Sequence, residues 1–380
     1  MKIAFYAPLK SPRHHRPSGD RLVARLFERA IVDGGFDVDL ASEFRSWEGE
    51  GDCRDQQQIR DEAGAVAHRL VSTYLGDADP PSLWFTYHLY HKAPDWIGPV
   101  VCSSLGIPYV IAEASYAPRQ HGGPWHDGHE QCRSAIHSAD AVVSLNRRDD
   151  PCLRELLKPS CELLELEPFI SLDGFSADAA DRMTIARKWG APGDKPWLVS
   201  VAMMRCGDKL ASYRELAQAL APLAQEGWHL FVVGDGPARP QVHELLEPIA
   251  PHATFTGLLA RDEILDLLRS ADLYVWPAVN EAYGMALLEA QACGLPVVAS
   301  AFGGVPQIVR HESTGLLAPP NEPLILSRYI RRLIREPSLR RRMGAYARDA
   351  CAREHDIRLA TAALAGLFGR LTTTGTHRRS

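Results

Sequence analysis

Short runs rich in β-branched and aromatic residues alternate with longer amphipathic stretches along this chain, and the whole alternation runs twice. In the first pass, strands are predicted at residues 3–7, 36–41, 83–87, 109–113 and 141–145, with helical patterns such as 20–33 and 96–105 between them. In the second pass, strands at 197–203, 228–233, 254–256, 273–276 and 296–300 alternate with helices at 213–225, from about 239, from 262 and at 285–293. Strand, helix and strand in that order close as a parallel sheet with helices on both faces. Two such series predict an α/β protein of two Rossmann-like, doubly wound parallel-sheet domains. The seam falls near residues 168–178, where Pro, Ser, Asp and Gly collect, as they do in linkers. The expected division is residues 1–170 and residues 171–355, followed by a C-terminal helix over 356–372 and a polar tail that frays.

Composition removes several classes. At 380 residues the chain is too long for one ordinary core. It is 46% hydrophobic and 23% charged, too apolar for disorder. A net charge of −5 argues against a whole-chain nucleic-acid binder. No apolar run approaches the roughly 18 to 20 residues that span a bilayer. The first residues, Met1-Lys2-Ile3-Ala4-Phe5-Tyr6-Ala7, read as a strand rather than a secretory signal. Eight scattered Cys with no Cys-x-x-Cys pair suit reduced thiols and a cytoplasmic setting.

The stretch from Pro277 to Ser300 is the most informative. A strand ends, a short loop carries Glu281 and Gly284, and a helix begins that carries Glu289 in its second turn. Free N–H groups at Gly284, Met285 and Ala286 would form an anion site at the strand ends. Carboxylates beside such a turn suit hydroxyls, those of a ribose or a sugar, better than phosphate. The alternative is a helix with a solvated acidic first turn. Arg205 and Lys209 lie on the loop after residues 197–203, on the ligand side of such a sheet. Two cations there can neutralise a diphosphate leaving group, or form an ordinary basic loop. Val233-Gly234-Asp235-Gly236-Pro237 and Phe255-Thr256-Gly257-Leu258 are two further strands ending in Gly at the same edge. They read either as backbone exposed to ligand and a base-stacking platform, or as plain turns.

One loop differs from the rest. Residues 119–129 hold three Gly, three His (His121, His126, His129) and Trp125. The spacing matches no clean metal-ligand motif and no Cys stands with the His, so the segment is read as a mobile substrate-side loop and no metal is expected. His14 and His15, between Arg13 and Arg16, read as a solvated turn before a lipid or acceptor contact.

Taken in order, Glu281-x7-Glu289, Gly294-Leu-Pro-Val-Val-Ala, Gly303-Gly304-Val305-Pro306 and Thr314-Gly315-Leu316-Leu317 resemble the donor half of retaining glycosyltransferases of family four (glycosyl transferases group 1), which have the GT-B fold. The resemblance is strong over residues 196–319; the N-terminal half matches in layout alone. Gln307 stands where the family often has Glu, and the Arg205-to-Lys209 spacing is one residue short. Glu113 and His88 are the nearest candidates for the family's N-terminal His. Pro17-Ser18-Gly19-Asp20 fits its first glycine loop, with Asp20 able to cap the next helix.

The resemblance implies two domains facing across a cleft, with 168–178 as hinge and the C-terminal helix packed back on the N-terminal domain. It implies transfer of a sugar from a nucleoside diphosphate sugar to an acceptor hydroxyl with retention, in polysaccharide or glycoconjugate synthesis. Glu281, Arg205, Lys209, His88 and Glu113 are the implied catalytic set. Gly19, Gly234, Gly257, Leu258, Tyr283, Gly284, Met285, Ala286 and Glu289 are the implied donor-binding set. No cofactor or metal is implied, since Arg205 and Lys209 take the metal's part. The implied partners are the donor and a glycan or lipid-linked acceptor, with peripheral contact at the inner membrane face compatible and nucleic acid excluded. A nucleotide-sugar epimerase shares this fold and donor site and lacks an acceptor. A non-catalytic two-lobed nucleotide- or sugar-binding protein is the alternative from another class. A dinucleotide oxidoreductase is disfavoured, because the first strand lacks Gly-x-Gly-x-x-Gly.

Overall fold

The computed structural model describes residues 1–16, 18–175 and 181–375. Pro17, the end of the expected hinge (176–178) and the tail beyond Gly375 lie outside the described residues. The chain divides into two compact units, Met1–Phe169 with the helix from Ile357, and Ile170–Asp356.

Each unit holds a six-stranded parallel sheet among the described residues. The first contains β1 (Lys2–Tyr6), β2 (Asp37–Ser42), β3 (Leu83–Leu89), β4 (Tyr109–Ala114), β5 (Ala141–Ser144) and β6 (Glu162–Glu165), in the order β2-β1-β3-β4-β5-β6. The second contains β7 (Trp197–Val201), β8 (His229–Val233), β9 (Ala253–Gly257), β10 (Leu273–Trp276), β11 (Val297–Ser300) and β12 (Gly315–Ala318), in the order β12-β11-β10-β7-β8-β9. The central strands are buried on both faces, as their continuous apolar runs require. This is the expected two-domain, doubly wound architecture.

In the first unit, aromatic rings fill one face of the sheet. Phe5 stacks on Phe85 at 5.5 Å, and Phe27 and Phe368 close on Phe85 at 5.4 and 6.0 Å. Phe368 belongs to the C-terminal helix Ile357–Gly375, whose Leu364 and Leu367 are also fully buried. Each such side chain contributes about 1.5 to 3 kcal/mol, so this helix is part of the first unit's core. It runs three residues beyond 372, where fraying was expected.

On the other face, Asp95 is fully buried. It accepts hydrogen bonds from Thr86 Oγ1 (2.5 Å), the Tyr109 hydroxyl (2.8 Å) and the backbone N–H groups of Ile97 and Gly98 (2.9 and 2.7 Å). This network ties β3 to the start of β4 and to the start of the helix Gly98–Leu105. In the second unit, Asp272 does comparable work, accepting from Trp197 N (2.9 Å), Arg182 (3.0 Å) and Arg340 (3.0 Å).

Several elements differ from the sequence expectation. The edge strands β6 and β12 are only four residues long, and their short runs lack the alternation that marks a strand. The helix Cys53–Gly76 was not predicted: it buries only Ala63, Ala67 and Tyr74, too small a stripe to show as a periodic pattern. Residues 119–129 are not all loop. A short 3₁₀ turn, Pro118–Gln120, leads into the helix His126–Ser138, and His129 is buried on that helix.

Candidate functional site

In the second unit the chain leaves β7 to one side of the sheet and later enters β10 on the other. The loops after these two strands therefore part at their C-terminal ends, where doubly wound sheets bind ligands. Arg205 and Lys209 follow β7; Glu281, Tyr283 and Gly284 follow β10.

Arg205 is exposed, with its guanidinium 3.0 Å from Met203 Sδ. Lys209 is not on a free loop. Gly207, at φ 79, turns the chain into the helix Asp208–Leu220, and Lys209 sits in its first turn. Its Nζ donates to Glu281 Oε2 at 2.5 Å, with the two side chains 30% and 22% exposed. Among the described residues no other group is hydrogen-bonded to the Glu281 carboxylate.

The Glu281 loop is strained and over-determined. Ala278 (φ 59), Asn280 (φ 50) and Gly284 (φ 77) all adopt left-handed backbone. For the two non-glycine residues this costs on the order of 1 kcal/mol or more each. The Ser212 hydroxyl accepts from Val279 N at 3.0 Å, and Asn280 Nδ2 donates to Asp208 Oδ1 at 2.9 Å. From below, a Cβ on Gly303 would lie 1.8 Å from the Glu281 carbonyl oxygen. Gly304 N donates to the Ala282 carbonyl at 3.0 Å. Gly303 and Gly304 are thus the floor on which Glu281 is set.

The helix Met285–Ala292 starts from Gly284. The N–H groups of its first residues have no carbonyl one turn behind them. Tyr283 is buried just before it, and Met285 and Ala286 are half-buried. One turn on, burial pushes the Glu289 carboxyl pKa up, with Arg261 opposing. No donor among the described residues is hydrogen-bonded to Glu289, so its oxygens are available to hydroxyls.

The glycines after β8 serve a different purpose from the one expected. A Cβ on Gly234 would lie 2.0 Å from the Ala202 carbonyl oxygen, and one on Gly236 would lie 2.3 Å from that of Met204. Gly234 is buried, so it brackets the loop that carries Arg205 rather than presenting open backbone. Gly257 (φ 71) ends β9 with nothing near its missing Cβ, and Leu258 beside it is 76% exposed.

In the first unit the sheet order switches sides between β1 and β3. Ser18 Oγ, not Asp20, caps the helix Gly19–Asp33 by accepting from Arg21 N at 3.3 Å. Gly19 has open space around its missing Cβ. Asp20 instead faces His88, whose Nδ1 is 3.4 Å from Asp20 Oδ1 and 3.8 Å from Glu113 Oε1. His88 (φ 63) in β3 and Glu113 (φ 59) in β4 both hold left-handed backbone inside a strand, a cost that structures keep mainly at functional sites. Burial alone would lower the His88 pKa. The Glu113 and Asp20 carboxylates outweigh it and hold the imidazole at about 9. His88 is therefore a cation at neutral pH, a hydrogen-bond donor rather than a base. Local sequence points to a capping role for Asp20; its place opposite His88 depends on a pairing across strands with no local signature. Elsewhere in this unit, a small cavity is lined by Glu48, His91, Lys92, Trp96, Trp125 and Gly128 among others.

Residues 181–350 match the protein-family model described as Glycosyl transferases group 1. They form a glycosyl transferases group 1 domain. Arg205, Lys209, Glu281, Gly284 and Glu289 all fall inside it. Among curated proteins, the chain is similar to N-acetyl-alpha-D-glucosaminyl L-malate synthase of Bacillus anthracis, 26% identical over 219 residues, which are 57% of this chain and 56% of that protein. It is also similar to a D-inositol 3-phosphate glycosyltransferase of Streptomyces avermitilis, 36% identical over 309 residues, 75% of this chain and 65% of that protein. The chain thus spans between about half and two thirds of the length of these relatives. Among solved structures, Anabaena HepE in complex with UDP superimposes with a TM-score of 0.77 at 16% identity, covering 98% of this chain and 100% of that one. That likeness, with the two parallel sheets, shows the GT-B fold. No helix among the described residues is long and apolar enough to cross a membrane.

Proposed function

We propose that this protein is a retaining glycosyltransferase of family four. It moves a sugar from a nucleoside diphosphate sugar, with uridine the favoured base, to an acceptor hydroxyl. One observation carries the reading: the Lys209–Glu281 pair, 2.5 Å long, stands at the parted ends of β7 and β10 beside the open helix start at Gly284, inside the group 1 domain. HepE structures holding UDP and UDP-glucose support the donor class.

In this reading the acceptor oxygen bonds to the anomeric carbon on the face from which the diphosphate leaves. The carbon–oxygen bond to the diphosphate breaks, and the acceptor proton passes to the departing phosphate oxygen. Arg205, Lys209 and the amides at Gly284, Met285 and Ala286 stabilise the charge that collects on the diphosphate, each such donor worth about 3 to 4 kcal/mol. Glu281 accepts from the donor sugar and sets negative charge beside a ring with oxocarbenium character. Glu289 accepts from the ribose hydroxyls, and Leu258 with Gly257 offers a flat apolar platform to the base. The protonated His88, with Asp20 and Glu113, binds hydroxyls of the acceptor. The chemistry needs no metal. The acceptor is a glycan, a lipid-linked intermediate or a small polyol, in polysaccharide or glycoconjugate synthesis.

The test is thermal stabilisation by UDP, GDP, ADP, dTDP and NAD at equal concentration, followed by anomer assignment of the transfer product by NMR. A ligand at about 100 times its dissociation constant adds about 2.7 kcal/mol. Stabilisation by UDP that disappears in Glu289→Ala, and a product with the donor's anomeric configuration, support the reading. Stabilisation by NAD alone, or an inverted product, refutes it.

A further inference from the structure

The segment read from sequence as a substrate-side loop carries a second site, built from four residues with no part in the donor machinery. His126 and Glu130 are one turn apart on the helix His126–Ser138 and share a face. Gly122, at φ 72, bends the chain so that His121 returns over that face. One ligand atom from each of His121, His126 and Glu130 lies within 4.8 Å of the other two. Glu130 is already oriented. Its Oε2 accepts from Arg133 at 2.9 Å, which leaves Oε1 toward the imidazoles, 3.4 Å from His121 Nδ1.

His129 supplies an independent observation. Its ring is 1% exposed, stacks on Tyr116 at 4.5 Å and places Nε2 3.1 Å from the Ala117 carbonyl oxygen. A carbonyl only accepts, so Nε2 carries the hydrogen, and Nδ1 is the ring atom left for a further partner. That atom is buried without a hydrogen-bond partner, 3.6 Å from Glu130 Oε1. This buried, unpartnered nitrogen and the Glu130 carboxylate therefore face the same point, with room for a cation to bond to both.

We propose that His121, His126, His129 and Glu130 bind one divalent transition-metal ion of the zinc type. Three imidazoles and a carboxylate suit zinc and its neighbours, and do not suit magnesium, which takes oxygen ligands. Bonds of about 2.1 Å in a tetrahedron put ligand atoms about 3.4 Å apart. The separations of 3.4 Å for His121–Glu130 and 3.6 Å for His129–Glu130 already match this. His126, exposed and within 4.8 Å of His121 and Glu130, accepts from Gly122 N at 3.4 Å through Nδ1, which leaves Nε2 for the metal. Arg133 is the outer partner that aims the carboxylate. The ion pins the Pro118–Gln120 turn to the helix and so fixes Trp125, whose indole N–H is held by Glu48 at 2.8 Å in the cavity wall.

The experiment uses the full chain, stripped with a chelator and titrated with Zn²⁺ against a chromophoric competitor, then with Co²⁺ to read the visible spectrum. Cys53 and Cys206 are exposed thiols and His14 stacks on His15, so the titrations are repeated in Cys53→Ser/Cys206→Ser and in His14→Ala/His15→Ala. Expected are one equivalent of Zn²⁺ per chain in all three backgrounds, and a four-coordinate Co²⁺ spectrum without a thiolate charge-transfer band. Arg133→Ala weakens binding by about 10- to 100-fold, and His126→Ala or Glu130→Gln weakens it further. His126 and Arg133 are surface positions, so these variants remain readable if the buried His129→Gln does not fold. Absence of saturable binding, loss of binding with the cysteines, or affinity unchanged in both His126→Ala and Glu130→Gln overturns the proposal.

Discussion

The His88 cluster makes stability depend on pH in a direction that the structure fixes. His88 has an ordinary value of 6.5 in the unfolded chain and about 9 in the fold, because Glu113 and Asp20 outweigh the burial that would lower it. Below pH 6.5 the imidazole is charged in both states and its ion pairing contributes in full. Above 6.5 the unfolded chain releases its proton first, while the fold holds it until about 9. Stability is therefore lost as pH rises through that window. Each tenfold change in proton affinity is worth about 1.36 kcal/mol, which makes the loss about 3 kcal/mol. The shifts of Asp20 and His88 describe one interaction and are counted once. The perturbation is His88→Asn, since Asn tolerates left-handed backbone, and the assay is urea denaturation of both proteins from pH 6 to pH 10. Groups common to both cancel in the difference. The wild type's stability relative to the variant should fall by about 3 kcal/mol between pH 6 and pH 10. A difference that stays constant across the range would refute the assignment of a charged His88 held by two carboxylates.

Three further outcomes follow from the same geometry. Glu281→Gln should lower turnover by about 10²- to 10³-fold with little change in nucleotide affinity, whereas Glu289→Gln should weaken UDP binding by about tenfold or more; titration calorimetry and initial rates that show the reverse order would overturn the two roles. Gly303→Ala should cost about 2 kcal/mol or more and lower the melting temperature, because its Cβ meets the Glu281 carbonyl at 1.8 Å from a φ of 52; an unshifted melting curve contradicts the floor assigned to it. EDTA should leave the transfer rate intact at temperatures where the protein stays folded, since Arg205 and Lys209 answer the diphosphate; an inactive but folded enzyme would place a metal in the chemistry.

The second unit was readable from sequence because its requirements are local. Glu281, Gly284 and Glu289 sit within one strand–loop–helix passage, and the helix start, the positive φ at Gly284 and the one-turn spacing follow from adjacent residues. Even there the physical reason for a motif was sometimes hidden. Gly-x-Gly after β8 suggests open backbone, yet Gly234 and Gly236 are glycine because the loop bearing Arg205 lies against them. A turn and a close backbone approach demand the same residue, and only the fold distinguishes them.

The first unit was harder to read because its polar cluster is assembled across the sheet. Asp20 comes from the helix after β1, His88 from β3 and Glu113 from β4, and the nearest two in sequence are 25 residues apart. No periodicity reports that His88 and Glu113 each leave the extended backbone inside a strand, since propensity favours ordinary strand there. Residues 119–130 present the opposite difficulty. Gly, Pro and Trp in that segment signal a loop, and the signal is right as far as Gly123, where the chain turns. It misleads from His126 onward, because a helix that starts within the loop sets His126 and Glu130 on one face and turns His129 inward. In an irregular loop, separations of three and four residues have no special meaning. On a helix the same separations bring side chains together. The secondary structure of the segment, rather than its composition, decides whether its histidines are scattered over a surface or gathered around one point.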